Sequence, residues 1–291
     1  MKYALFIGCQ IPARVPQYEM SVRSVLKELD IRLVDERQFN CCGYPMRDSN
    51  RKAFLLSSVR NLALAEKKGL QMLVMCKCCY GSLKHAESIM NEEGDVQTGV
   101  RDILKKEGLV YEGKTKVNHF LSVLYHDVGL DNLKLKVSRP FKDLKIAAHN
   151  GCHALRPSKV TQFDDPVAPK IFDTLVELVG ADSVDWKRKL ECCGSHAMGI
   201  NDNLSMELAK KKLDSGMEAG ASLLCTACPY CQIQFDTVQE MILSGSEERE
   251  GIGSILYSQL LGLSMGLDNE NLGIGMNKID IDGIRSYLSE G

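Results

Sequence analysis

The sequence predicts an α/β fold made of two pseudo-symmetric repeats, each a small parallel sheet flanked by helices. Three observations carry this. Short apolar runs alternate with longer stretches of helical periodicity. A set of cysteine motifs occurs twice in the same order. The spacing between matching motifs is nearly constant: Cys152 follows Cys9 by 143 positions, Cys192 follows Cys41 by 151, and Cys228 follows Cys76 by 152.

The first repeat opens on Tyr3 to Cys9, an apolar run that reads as a buried strand ending at a cysteine; Ile146 to Cys152 reads the same way less cleanly. Next come the triplets Cys41-Cys42-Gly43 and Cys192-Cys193-Gly194. A helix is predicted after each. Leu55, Leu56, Val59, Leu62 and Ala63 share one face of the first, and Leu204, Leu208, Ala209 and Leu213 keep a similar rhythm in the second. Gly69 and Gly220 are suited to cap their C-terminal ends. The runs Gln71 to Met75 and Ala221 to Leu224 read as buried strands leading into the C-x-x-C pairs Cys76/Cys79 and Cys228/Cys231. Each repeat closes with a similar tail, Phe120 to Asp131 and Leu256 to Asp268. The polar, basic stretch from Asp131 to Lys145, with Arg139-Pro140, marks the boundary, giving repeats over 1–135 and 136–291. The expected architecture is Rossmann-like, with sites outside the carboxyl ends of the strands.

Composition bounds the function. Of 291 residues, 44% are apolar and 25% charged, the balance of a soluble globular protein. A net charge of -2 and a single Trp supply neither a basic field nor a stacking platform for nucleic acid. No run reaches the roughly 18 apolar residues of a membrane span; Ile255 to Leu267 comes nearest but contains Ser258, Gln259 and Ser264. Met1 to Cys9 has the outline of a lipoprotein signal, but Gly8-Cys9 recurs internally as Gly151-Cys152. Clustered cysteines point to metal ligation in a reducing compartment, so a cytoplasmic location is expected. Neither a dinucleotide fingerprint nor a P-loop is found, so any electrons arrive from another protein.

Ten of the twelve cysteines fall into two sets: Cys9, Cys41, Cys42, Cys76 and Cys79, then Cys152, Cys192, Cys193, Cys228 and Cys231. Structural zinc takes four ligands. Each set offers five, two of them adjacent and therefore diverging, which suits different irons of one cluster better than a single ion. The usual four-cysteine ferredoxin spacings are absent. Zinc and a thiol-only redox role are the alternatives. Cys78 and Cys225, beside the C-x-x-C pairs, read most simply as small buried residues, although either is placed to replace a neighbouring ligand.

These motifs resemble those of the B subunit of heterodisulfide reductase, the catalytic polypeptide of that complex in methanogens. The resemblance covers nearly the whole chain, through Phe6-Ile7-Gly8-Cys9, Asn40 to Gly43, Cys76 to Leu83, His149 to His153, Glu191 to Gly194, Cys228 to Asp236 and the tail from Leu256. It implies that each five-cysteine set binds a noncubane [4Fe-4S] cluster. It also implies a substrate, the mixed disulfide of coenzyme M and coenzyme B (CoM-S-S-CoB), cleaved homolytically between the two clusters. The implied partners are the iron–sulfur C subunit and the flavin-containing, iron–sulfur A subunit of heterodisulfide reductase, fed by a hydrogenase or formate dehydrogenase. The product thiolates need protons, for which His153 is the candidate donor; a role bonding a cluster sulfur or the backbone is the alternative. His196 reads as structural, and His85, His119 and His126 as solvated or helix-packed. Arg14, Arg47, Arg156 and Lys159 follow ligand cysteines and are candidates for holding an anionic substrate. The triplet module also occurs in 2-hydroxyacid oxidases and some succinate dehydrogenases. The second function in play is therefore electron transfer for such a dehydrogenase, and the third is a zinc-stabilised interaction protein.

Overall fold

The computed structural model describes residues 1–245 and 251–290. The first sheet contains β1 (Lys2–Phe6), β2 (Arg32–Asp35), β3 (Gln71–Val74) and β4 (Val117–His119), in the order β2-β1-β3-β4. The second contains β5 (Lys145–Ala148), β6 (Asp182–Ser183), β7 (Leu223–Thr226) and β8 (Gly253–Leu256), in the order β6-β5-β7-β8. Every pairing is parallel. The fold class is the one the sequence predicts.

The central strands explain why their sequences are unbroken apolar runs. Ala4, Leu5 and Phe6 pair with Met72, Leu73 and Val74, and all six are buried. A parallel strand covered by helices on both faces has no solvent side to mark with polar residues. Two of the outer strands, β4 and β6, escape sequence patterning because they are only three and two residues long. Such edges carry too few residues for a period to register.

In each repeat the strand order reverses between the first and third strands, which opens a crevice at their carboxyl ends. Cys9 and Cys76 follow β1 and β3 into the first crevice; Cys152 and Cys228 follow β5 and β7 into the second.

The helices after the triplets, Arg51–Lys67 and Asp202–Glu218, start alike. Asn50 and Asn201 each accept, through the side-chain oxygen, a backbone N–H three residues ahead, at 3.0 Å in both. They end alike too, with Gly69 and Gly220 at φ of 64° and 75°. One expectation fails. Leu204 is 48% exposed on the first turn, and Leu208 is half-buried. The inward face is built instead from Ser205, Ala209, Lys212, Leu213 and Gly216, because this helix lies beneath polar carbonyls of the triplet loop.

The repeats pack closely on each other. The Pro16–Glu28 helix of the first lies on the Tyr257–Ser264 helix of the second, where Ser21 and Ser258 share a 2.6 Å hydrogen bond. Tyr80 of the first repeat donates to the carbonyl of Thr161 at 2.6 Å. A methyl group at Gly81 would collide with the carbonyl oxygen of His153. Among the described residues, no helix is long and apolar enough to cross a membrane.

Candidate metal centre

The triplet loops are held by the helices that follow them. Ser57 donates to the carbonyl of Cys41 at 2.7 Å and Ser58 to that of Cys42 at 2.5 Å. Asn61 accepts from the N–H of Asn40 and donates to the Cys41 carbonyl. In the second repeat Ser205 donates to the Gly194 carbonyl, and the ammonium of Lys212 donates to the carbonyls of Arg188 and Glu191. Gly43 and Gly194 adopt φ of 79° and 87°, and a side chain there would press on the helix backbone at Phe54 and Ser205. The glycine lets the two preceding cysteines diverge over the helix.

Cys76 and Cys228 cap the N-termini of the Lys77–Met90 and Pro229–Phe235 helices, with Cys79 and Cys231 in the first turn. The thiols of each set then form an arc. In the first repeat, neighbours in contact run Cys9, Cys41, Cys42, Cys79, Cys76. In the second they run Cys152, Cys192, Cys193, Cys231, Cys228. The order is the same, and the arcs meet where the thiols of Cys76 and Cys228 lie 3.9 Å apart. Two small pockets, each with a cavity of about 10 Å³, are lined by all five thiols of one arc apiece. The outer part of each arc reaches the surface, Cys9 and Cys192 being exposed and Cys152 half-buried, and the meeting point is buried.

Packed this closely, the thiols cannot all ionise on their own. Cys41 is held at about 2 by the neighbouring thiols of Cys42 and Cys9, and Cys42 is pushed up to about 12 by its proximity to Cys41. Contacts with Cys152 and Cys193 likewise hold Cys192 far below the ordinary thiol value, and Cys193 is pushed up to about 12. In each arc one thiol beside the outermost, Cys41 or Cys192, is held low while its neighbours on both sides are pushed up. A metal–sulfur group supplies the positive charge that lets every sulfur bind as thiolate. The donor set therefore fits an iron–sulfur group, and five thiolates per arc exceed the four of a closed zinc site.

Cys225 lies outside the arcs, whereas Cys78 stands at their meeting point, its thiol within 4.8 Å of those of Cys76 and Cys228. Cys225 is buried within β7 and lines neither pocket. Cys78 is buried at the junction, 3.1 Å from Nδ1 of His153 and 3.3 Å from Nε2 of His196. The Tyr44 hydroxyl reaches Nε2 of His153 at 3.3 Å, and His196 stacks between Tyr44 and Tyr230. His196 is thus a partner of His153 at the junction. Burial lowers the pKa of both imidazoles, with the proximity of His196 adding to the effect on His153.

Beside His153 a groove of about 740 Å³ is lined by Arg47, Arg51, His85 and Arg156, with Asp48 and Glu92 on its walls. Arg14 and Lys159 are exposed and do not line it. His126 is exposed. His119 is fully buried between the repeats, where its Nδ1 accepts the N–H of Leu121 at 3.2 Å. Sequence reasoning passes over Lys77 and His149, buried beside the second arc, and Lys212, buried under its triplet loop. Aligning the repeats on Gly8-Cys9 and Gly151-Cys152 would have set His149 against Phe6 and exposed the difference.

Twin cysteine-rich α/β modules, joined at their innermost thiols, define a protein whose clustered cysteines suit metal–sulfur binding. The cysteine-rich CCG domain family matches residues 3–84 and 146–236. Among similar proteins is the B subunit of the ferredoxin/F420H2-dependent CoB-CoM heterodisulfide reductase of Methanosarcina acetivorans, 35% identical over 283 residues, which cover 96% of this chain and 94% of the relative. A protein of Archaeoglobus profundus described as like the heterodisulfide reductase B subunit is 35% identical over 94% of this chain and 93% of its own. The 8-methylmenaquinol:fumarate reductase membrane anchor subunit of Wolinella succinogenes is 31% identical over 96% of this chain and 97% of its own. A solved structure of a hypothetical protein from Helicobacter pylori shares the fold at a TM-score of 0.75 and 15% identity, covering 97% of this chain and 52% of that one. The chain belongs to the heterodisulfide reductase B-subunit family of CCG-domain proteins.

Proposed function

We propose that this chain is the catalytic subunit of a cytoplasmic heterodisulfide reductase, reducing CoM-S-S-CoB to the thiols of coenzyme M and coenzyme B. The observation that carries the reading is the meeting of two five-thiol arcs at Cys76 and Cys228, 3.9 Å apart, next to a groove rich in arginine. Residues 1–135 and 136–291 would each hold one noncubane [4Fe-4S] cluster, through Cys9, Cys41, Cys42, Cys76 and Cys79 and through Cys152, Cys192, Cys193, Cys228 and Cys231. When bound, such clusters supply the single electrons that cleave a sulfur–sulfur bond.

The chain's own residues do the rest. Arg47, Arg51 and Arg156 hold the anionic ends of the substrate, as guanidinium groups do for sulfonate, phosphate and carboxylate. His153 delivers a proton to a product thiolate, with Tyr44 and Cys78 fixing its ring from either side. The pseudo-twofold arrangement suits a substrate with one sulfur for each repeat. Electrons reach it through the iron–sulfur and flavin-containing partner polypeptides, with a hydrogenase or formate dehydrogenase upstream. The relatives' names cite ferredoxin, reduced F420 and 8-methylmenaquinol, so the donor is set by partner polypeptides rather than by this one.

The near full-length similarity to the Wolinella fumarate reductase polypeptide favours a second reading, electron transfer for a dicarboxylate or hydroxyacid dehydrogenase. Turnover separates the two. The purified complex, driven by a reduced viologen, is expected to consume CoM-S-S-CoB and release two thiols. Quinol-dependent fumarate reduction with no heterodisulfide turnover would replace the first reading with the second.

A further inference from the structure

The two arcs are alike, but their surroundings are not. Phe6 and Ile7, which precede Gly8-Cys9, correspond to His149 and Asn150 before Gly151-Cys152. Both His149 and Asn150 are buried, and neither ring nitrogen of the one nor amide atom of the other has a hydrogen-bond partner in the protein. Burying a polar group unpartnered costs roughly 1–3 kcal/mol. The His149 ring offers a nitrogen within 4.8 Å of the thiols of Cys193 and Cys231, so its missing partner lies at the second arc.

Two buried ammonium groups lie near the same arc, Lys77 lining its pocket and Lys212 beneath its triplet loop. Lys77 belongs to the first repeat yet reaches into the second, donating to the carbonyls of His149 at 3.3 Å and Asn150 at 2.6 Å and lining the second pocket. Its counterpart in the second repeat is Pro229. Lys212 lies under the second triplet loop, bonded to the carbonyls of Arg188 and Glu191; its counterpart in the first repeat is the neutral Asn61. Neither lysine forms an ion pair with a carboxylate among the described residues. A buried charge without a counter-ion is costly, and the negative group opposite both is the second arc. Arg23 and Arg37 line a surface groove outside Cys9, together with Asp35 and Glu36, and Arg23 is already paired with Asp35 at 2.6 Å. Those charges are solvated and screened.

We propose that the second repeat holds the higher-potential cluster of the two, with His149 donating a hydrogen bond to it and Lys77 and Lys212 as its fixed positive charges. The proposal rests on the reading that each arc binds an iron–sulfur cluster. Adding an electron makes a cluster more negative, and nearby donors and cations stabilise that state. Electrons arriving singly therefore settle in the second repeat.

The test is a potentiometric titration of the anaerobic complex followed by electron paramagnetic resonance. Cys193→Ala identifies the wave of the second cluster, which is expected to be the upper one. Lys212→Asn and His149→Phe install the first repeat's residues; each is expected to move that wave to lower potential, leave the other in place and keep the iron content. Lys212→Arg keeps the charge and is expected to keep the potential. The proposal is overturned if the second cluster has the lower wave, if neither substitution moves it at full iron content, or if both waves move together. Loss of about half the iron in His149→Phe would make His149 a ligand and overturn its role as donor. Absence of iron and sulfide from the wild type would remove the cluster reading beneath the proposal instead.

Discussion

The first repeat surrounds its thiols with Phe6, Ile7 and Asn61, the second with His149, Asn150 and Lys212. The backbone that presents the thiols is nevertheless the same in both: the asparagine-capped helix, the left-handed glycine after paired cysteines and the C-x-x-C at a helix start. Ligand order is thus written into short-range spacing and survives duplication. Electrostatics depends on single side chains two or three residues away and has been free to diverge. The junction breaks the symmetry as well, since Cys78 on one side corresponds to Tyr230 on the other.

The largest expected effect comes from breaking one arc at a time. Cys42→Ala and Cys193→Ala should each lose about half of the iron and abolish heterodisulfide reduction, while the other cluster stays in place. Full iron and wild-type turnover in both would remove the five-thiol assignment. Next is the junction, where His153 of the second repeat is the proposed proton donor. His153→Gln should slow turnover roughly 100-fold or more at unchanged iron content. Burial, reinforced by His196, lowers the pKa of His153, so its protonated fraction is small at neutral pH and wild-type turnover should rise as the pH falls. A variant with the wild-type rate and pH profile would exclude His153 as donor.

The contact between repeats is testable at Gly81. Alanine in a helix normally stabilises by about 1 kcal/mol over glycine. Here the added methyl meets the backbone of His153, and we expect a loss of roughly 1–3 kcal/mol, read as a lower denaturation midpoint. Gly216→Ala is the opposite case. Its counterpart is Ala65, and the new methyl would lie 3.6 Å from Ala147 at ordinary van der Waals contact, so stability should rise by about 0.5–1 kcal/mol. A gain at Gly81 or a loss at Gly216 would contradict the packing described.

A smaller, graded effect follows from His119, which burial lowers to about 3. The unfolded chain takes up this proton below about pH 6.5 and the folded chain does not. Its contribution to stability is therefore complete above that pH and declines as the pH falls toward 3, by up to about 1.4 kcal/mol per unit. Denaturation midpoints at pH 7.5 and 5 should converge in His119→Phe relative to the wild type.

Much of this was legible in the sequence because it is local. Leu5, Leu73 and Leu224 lie in apolar runs long enough to read as buried strands, and motif spacing divides ten cysteines into two sets. What failed to register is local but short, or not local at all. Asp182 and Ser183 form a strand only because β5 lies alongside. Leu204 follows the apolar rhythm yet faces water, since the helix turns its polar side to the loop above. The meeting of Tyr44, Cys78, His153 and His196 arises from packing between repeats, which no spacing within either one encodes.

The most direct measurement is iron, acid-labile sulfide and zinc per chain after strictly anaerobic purification. Two four-iron clusters require about eight iron and about eight sulfide, with no stoichiometric zinc. One or two zinc ions and no sulfide would mean that the two arcs are structural, and the account of a paired redox centre would fall.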